Sequence, residues 1–474
     1  METAAFFNEM YDDHGRPRRP YEDYDRWLDG EDGHRLDEKA AQAESIFRTT
    51  GITFNVYGDD DGDERLIPFD LIPRILSPGE WAGLSRGIEQ RVLAVNAFLD
   101  DIYNGREIIK AGRLPEHLFA TNEAFVPQML DFRPPGGVYT HIVGVDLVRT
   151  GPTQFYVLED NARTPSGVSY MLENRETMLK VFPELFGRIQ IQPVRNYPQL
   201  LRQALEASAP PACRDRPTVA VLTPGFHNSA YFEHSFLAEQ MGAELVEKDV
   251  LQVVDGRLAM RTTRGYQPID VLYRRIDDDF LDPLTFRPDS LLGVPGLFDV
   301  YRAGGLTLAN APGTGIADDK ALYSYMPEIV EFYSGQQPLL DNVPTWRCAE
   351  PSHLSHVLAN IADLVVKEVH GSGGYGMLVG PAASSQEIEA FTEKLKANPA
   401  GYIAQPTLAL STVPVLTEAG LAPRHVDLRP YVLVAPGQVS ITPGGLTRVA
   451  LTEGSLVVNS SQGGGTKDTW VLAQ

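Results

Sequence analysis

The sequence predicts a mixed α/β (α+β) chain in three units, on three observations. Its 474 residues exceed what a single hydrophobic core accommodates. After residue 217, strand-like and helix-like segments alternate, as in a parallel sheet with crossover helices. A long amphipathic helix and two adjacent strands precede that stretch, and short strands separated by Gly-rich loops follow it. The expected units run 1–205, 206–315 and 316–474.

In the first unit, Ser77-Pro78-Gly79-Glu80 has the form of a capping box with proline at the first helical position. Leu84, Ile88, Val92, Val95, Leu99 and Ile102 follow at helical spacing and form the core face of a helix ending near Tyr103. Residues 138–149 and 154–160 read as strands joined by a turn at Thr150-Gly151-Pro152. Residues 206–217, EASAPPACRDRP, read as a linker. Beyond it come a strand at 218–223, a loop at 224–228, a helix to Met241 stopped by Gly242, and strands near 243–246 and at 269–276. These suggest a small parallel, doubly wound sheet. In the last unit, strands are expected at 363–369, 377–379, 402–405 and 426–434.

Composition narrows the function. The longest apolar runs are broken by polar residues, so no segment is expected to span a bilayer. Residues 1–10 hold two acidic side chains and no basic stretch ahead of an apolar one, which argues against a secretory signal. Cys213 and Cys348 are the two cysteines and lie far apart, so a reduced, cytoplasmic setting without a structural disulfide is expected. A net charge of −22 disfavours nucleic acid and anionic membrane as partners. A polyphosphate is compatible with that charge where Lys, Arg and backbone N–H groups cluster locally beside a divalent cation.

The strongest chemical signal is residues 144–167, GVDLVRTGPTQFYVLEDNARTPSG. Period-two alternation places Glu159 and Asn161 on one face of a strand and Asp160 on the other. A hairpin turned near Gly151 brings Asp146 across from them, giving three oxygen donors suited to a hard cation. Two carboxylates 4 Å apart repel by about 4 kcal/mol at an effective dielectric near 20, a cost that a cation offsets. The plainer alternative is a solvated hairpin whose acids pair with Arg149 and Arg163.

A second signal is LVVKEVHGSGGYGM, residues 364–377. Lys367 lies on an apolar strand just before Gly371, Ser372, Gly373, Gly374 and Gly376. Glycines let backbone N–H groups approach phosphate oxygens, and the lysine adds a mobile positive charge. A dinucleotide-binding reading fails because the loop leads into a strand, not a helix. A β-hairpin flap over phosphates fits, yet neither H-R-D nor D-F-G occurs in the chain, which argues against a protein kinase. The plainer alternative is an ordinary flexible hairpin. Gln405 ends an apolar strand in a hinge-like YIAQP, Arg429 sits in HVDLRPYVLV, and Asn459 opens a second Gly-rich stretch.

Together these residues resemble the ATP-grasp superfamily, and most closely the circularly permuted ATP-grasp type 2 family, often labelled glutathionylspermidine-synthase-like. The resemblance spans nearly the whole chain and includes GITFNVYGD (51–59), IPFDLIPRIL (67–76), YRRIDDDFLDPL (273–284) and KDTWVL (467–472). It implies a circularly permuted ATP-grasp fold with a Rossmann-like pre-ATP-grasp domain at 206–315. The metal-binding half lies in 1–205 and the nucleotide-lid half in 316–474. By the same likeness Asp146, Glu159 and Asn161 hold magnesium, and Lys320 and Lys367 are the nucleotide lysines. Gln405 is the adenine hinge, Arg429 binds phosphate, and Arg163 lies beside the transferring phosphoryl group. The acidic strands precede the lysines, the reverse of the usual order, and permutation is tolerated where chain ends lie close together.

The implied reaction is ATP- and Mg²⁺-dependent ligation of a small-molecule or peptide carboxylate to an amine through an acyl phosphate. Arg163, Arg429 and Lys367 then act on the phosphoryl group by positioning and charge neutralisation. Substrate contacts are expected from His227, Asn228 and Tyr231, with His234 nearby, and from Arg274, Arg275 and Asp277. All of these sit at carboxyl ends of strands, where ligands commonly bind; the competing role for them is in ion pairs between domains. Two other functions stay open at this point: phosphoryl transfer to a hydroxyl or carboxylate, and a catalytically silent nucleotide-binding scaffold.

Overall fold

The structure is a computed structural model that describes residues 6–55, 64–120, 122–369, 376–456, 458 and 463–473. The capping box forms at Ser77. Its Oγ accepts the Glu80 N–H at 3.3 Å, and the Glu80 carboxylate accepts the Ser77 N–H at 2.9 Å. The helix Pro78–Tyr103 follows, with all six expected core positions buried. A Ser77→Ala change removes one acceptor of the first-turn N–H groups and is expected to cost about 1 kcal/mol. It should appear as a lower urea midpoint at unchanged m-value.

That helix packs on one face of a ten-stranded sheet. The strand path is Asp341–Asn342, Phe155–Asn161, Ile142–Arg149, Gly420–Arg429, Leu446–Val449, Gly465–Val471 and Phe69–Leu76. Strands encoded before residue 162 therefore pair directly with strands encoded after residue 419. Val143, Val145, Leu147, Val157 and Leu428 bury against Trp81, Leu84, Ile88 and Val92 of the helix. Leu428 stands opposite Leu147 in register. The pleat then turns Asp146 and Asp427 to the other face, and this decides where the polar site lies. The strand expected at 426–434 is divided at Pro430 into Gly420–Arg429 and Tyr431–Ala435, both paired to Ile142–Arg149. Proline has no N–H to continue a ladder.

Val219–Leu222, Glu244–Val246, Val271–Arg274 and Thr307–Ala309 form a four-stranded parallel sheet with Val271–Arg274 and Val219–Leu222 at its centre. Its helix Tyr231–Met241 ends on Gly242 at φ +62°. A three-stranded antiparallel sheet from 251 to 268 lies between two of these strands in sequence; the sequence reading left it out. Asp255-Gly256, both at positive φ, is the hairpin signal that marked it.

A further four-stranded sheet orders Trp346–Arg347, Tyr402–Pro406, Leu364–Glu368 and Leu378–Val379. The last two pair antiparallel with Val365 across from Val379, so the Gly-rich segment does connect two strands. Gly371, Ser372, Gly373 and Gly374 lie outside the described residues, as does Asn459. No helix among the described residues is long and apolar enough to cross a membrane.

Candidate functional site

On the polar face of the large sheet, Asp146 stands directly opposite Glu159, and Gly144 opposite Asn161. The register shifts just beyond, where Leu147 pairs with Val157. Asp146 is fully buried. Arg429 Nε donates to its Oδ1 at 2.5 Å and Arg429 Nη2 to its Oδ2 at 2.7 Å, while Arg448 Nη2 donates to Oδ2 at 2.6 Å. Burial works to raise the Asp146 pKa, but Arg429 and then Arg448 outweigh it and hold the carboxyl well below the ordinary carboxylate range. Glu159, half-buried, is shifted upward, by burial first and by the Asp146 charge second. Asn161 Nδ2 lies 3.4 Å from Asp146 Oδ1. Gly144 leaves room for the Arg429 chain to cross the strand, since a Cβ there would sit 3.3 Å from Arg429 Cδ.

Asp160 points to the helix side and is gripped by Arg91 at 2.7 and 2.6 Å. Arg149 pairs with Glu9 and Glu80, and Arg163 with Asp277 at 3.4 Å. The alternative in which Arg149 and Arg163 neutralise the hairpin acids is thereby corrected. Both arginines are drawn away by acids from distant segments, and Arg429 and Arg448 take their place.

Across from the acids, Lys367 Nζ donates to Gln405 Oε1 at 2.8 Å. Burial draws the Lys367 pKa down to about 8; Glu159 works against this shift and Lys320 adds to it. Lys320 likewise acts on Glu159. Glu159, Lys320 and Lys367 thus share one electrostatic neighbourhood. Lys320 opens the short helix Lys320–Tyr323, which Asp319 caps by accepting from the N–H groups of Ala321 and Leu322. Gln405 is only 2% exposed, and its Nε2 donates to Thr345 Oγ1 at 3.0 Å. Its side-chain amide is spent inside the protein and does not stand open to a base edge, as the hinge expectation required. Gly376 has φ +67° beside Glu368.

Asp318 ties the hairpin to the Lys320 segment, accepting the Ala162 N–H at 2.5 Å and the Arg163 N–H at 3.3 Å. Burial raises its pKa to about 7, above the roughly 3.9 of an unfolded aspartate. The folded protein therefore binds more protons through this group between about pH 4 and 7, so its contribution to stability falls as pH rises through that window. Asp318→Asn should remove that slope in urea unfolding across pH; an unchanged slope would refute the assignment.

The carboxyl edge of the parallel sheet meets the hairpin's end. Arg275 donates to Pro165 O at 2.6 Å and lies 3.3 Å from Glu233. Glu233 in turn accepts the N–H groups of Gly167 and Ser169 at 2.7 and 3.1 Å, at the start of the helix Val168–Val181. Gly167, at φ +102°, admits no Cβ, which would lie 2.7 Å from Tyr431 Oη. Arg274 does not face a ligand space: it is fully buried, donating to the carbonyls of Asn310, Ile276 and Ala311. Its expected substrate role is replaced by a structural one, because it holds the adjacent strand end together. Asn228 spends its Oδ1 on the Ala230 N–H, and Tyr231 begins its helix. His227 is exposed against the Phe226 ring. His234 is buried against Thr223, its pKa lowered by burial and then by Arg275 to about 2.

Sequence reasoning missed Arg448, Asp427, Asp318 and Glu233. Asp427 was the findable one, since it lies two residues before Arg429 and shares its strand face. Among the described residues no group of three or more His, Cys, Asp or Glu is arranged to hold a metal; the set here is two carboxylates and an amide.

A family described as Circularly permuted ATP-grasp type 2 matches residues 73–450. Over 471 residues the chain is 52% identical to an uncharacterized protein of Synechocystis, covering 99% of this chain and 98% of that one. It is 44% identical over 471 residues to a Frankia alni protein provisionally named glutamate–cysteine ligase 2-3, covering 98% of this chain and 54% of that one. A solved glutathione synthetase-like effector from Globodera pallida superposes with a TM-score of 0.60 at 12% identity, over 93% of this chain and 98% of that one, a likeness of fold.

Proposed function

We propose a function for this chain from one premise: it belongs to the circularly permuted ATP-grasp type 2 family. The proposal is an ATP- and Mg²⁺-dependent ligase that activates a carboxylate as an acyl phosphate and joins it to an amine. The observation that carries it is how the segments join: Asp146 stands opposite Glu159, Asp318 ties that hairpin to the Lys320 segment, and the Lys320 N–H reaches Val369 O at 3.5 Å, two residues beyond Lys367. The relatives' names support amino-acid or peptide substrates.

The donor set suits magnesium, since hard oxygens are what that ion takes. Burial first and the Asp146 charge second raise the Glu159 carboxyl, and a cation offsets the second of these. Asp146, Glu159 and Asn161 would hold the ion, which when bound neutralises phosphate charge. In this reading Lys320 and Lys367 bind the phosphates under the Gly-rich flap, and Arg429 turns from Asp146 toward the transferring group. Arg163 and Asp277 flank the entry for the acid and the amine, with Arg275 fixing the turn at Pro165. The parallel-sheet unit serves as the Rossmann-like pre-ATP-grasp domain at 206–315, between the 1–205 and 316–474 units. A cytoplasmic location is part of the same proposal.

Incubation with ATP, Mg²⁺, hydroxylamine and a panel of carboxylic acids and peptides tests it. Hydroxamate together with ADP is the expected result, because hydroxylamine traps acyl phosphates and leaves phosphate esters untouched. ADP without hydroxamate for any acid points to transfer onto a hydroxyl, and tight ATP binding without ADP to a silent scaffold. Either outcome overturns the ligase reading.

A further inference from the structure

Arg448 has no part in the chemistry described so far, yet it bridges two buried carboxylates. Its Nη2 donates to Asp146 Oδ2 at 2.6 Å, and its Nε lies 2.9 and 3.0 Å from the two oxygens of Asp427. Arg448 and Asp427 stand directly opposite each other in neighbouring strands. An ionised carboxylate offers about four lone-pair sites. Those of Asp146 face Arg429 twice, Arg448 once and Asn161 at 3.4 Å. A cation joining Asp146 must take one of these places and meets two guanidinium charges. Asn161 can turn its amide oxygen inward. Both arginines reach a second carboxylate, but that of Arg429 is Glu159 at 3.6 Å, itself in the donor set, whereas that of Arg448 is Asp427, outside it.

We infer that Asp427 and Arg448 form a counter-charge couple that governs how readily Asp146 accepts a divalent cation. With Asp146 free of metal, Arg448 is shared between the two carboxylates; with Asp146 engaged, Asp427 keeps it. The buried guanidinium is then never left without an acceptor, a state that a lone arginine at this depth could not escape. The inference rests on the metal-dependent reading above, and it predicts opposite signs for two neighbouring changes.

The test is Mn²⁺ binding to the full chain, with and without ADP, followed by the electron paramagnetic resonance of free Mn²⁺. Asp427→Asn should weaken binding about tenfold or more, as loss of groups supporting a metal ligand does, because Arg448 then stays on Asp146. Arg448→Gln should bind more tightly than wild type. In the Arg448→Gln background, Asp427→Asn should lose most of its effect. A penalty that persists undiminished there would make Asp427 an independent charge and overturn the inference. Where Asp427→Asn fails to fold, Arg448→Gln alone decides, and weaker binding than wild type overturns the couple. Wild-type protein that takes up no Mn²⁺ even with ADP overturns the functional reading as well. Normal wild-type binding with insensitive variants removes the couple alone.

Discussion

Lys367→Ala is expected to lower ADP formation by about two to three orders of magnitude, the scale for removing one charge that stabilises a transferring group. The lysine is drawn to a pKa of about 8 by burial, against the pull of Glu159, so its charge is lost within an accessible range. ATP affinity in the wild type should fall as pH rises through about 8, where the neutral amine no longer attracts phosphate. Lys367→Arg should flatten that profile, since a guanidinium stays charged throughout. The sign for stability is the reverse. A lysine whose folded pKa lies below its unfolded value of about 10.4 releases its proton first in the folded state, so its contribution to stability rises between about pH 8 and 10. A pH-independent dissociation constant for ATP from pH 7 to 9 would remove Lys367 from the phosphate site.

Asp146→Ala is expected to abolish Mg²⁺-dependent turnover and to destabilise the fold by about 3–5 kcal/mol, because it takes from the buried Arg429 its bidentate carboxylate partner, while Arg448 keeps Asp427. Stability and chemistry can be separated with Asp160, which faces the other side of the same strand pair and holds Arg91. Asp160→Ala should cost a similar stability and leave turnover per folded molecule near that of wild type. Equal loss of turnover in both variants, measured at matched folded fraction, would mean that the polar face has no special role.

Much of the local structure was legible. The capping box at Ser77, the helix core from Leu84 to Ile102 and the hairpin turned at Gly151 follow from patterns that span a few residues. The placement of Asp160 opposite Glu159 and Asn161 follows from the pleat. The roles of the arginines were not legible. Arg149, Arg163, Arg274 and Arg429 look alike in sequence. Their partners are Glu9 and Glu80 for Arg149, Asp277 for Arg163, Asp278 with three backbone carbonyls for Arg274, and Asp146 for Arg429. Most of these partners are supplied by other segments of the chain, and a guanidinium goes to whichever acceptor the fold buries with it.

From the sequence alone came an acidic hairpin and a lysine just before a glycine-rich segment, which depend on residue type and short-range spacing imposed by neighbours in the chain. Lys320 and the reversed order of the parts came from the family resemblance. Only the tertiary structure decided that strands ending at Asn161 and Val471 share one sheet. It alone decided that Glu159 and Lys367 feel each other's charge, and that Arg448 stands between Asp146 and Asp427. Sheet order and register are set by which apolar faces bury together across hundreds of residues, and no local pattern encodes that choice.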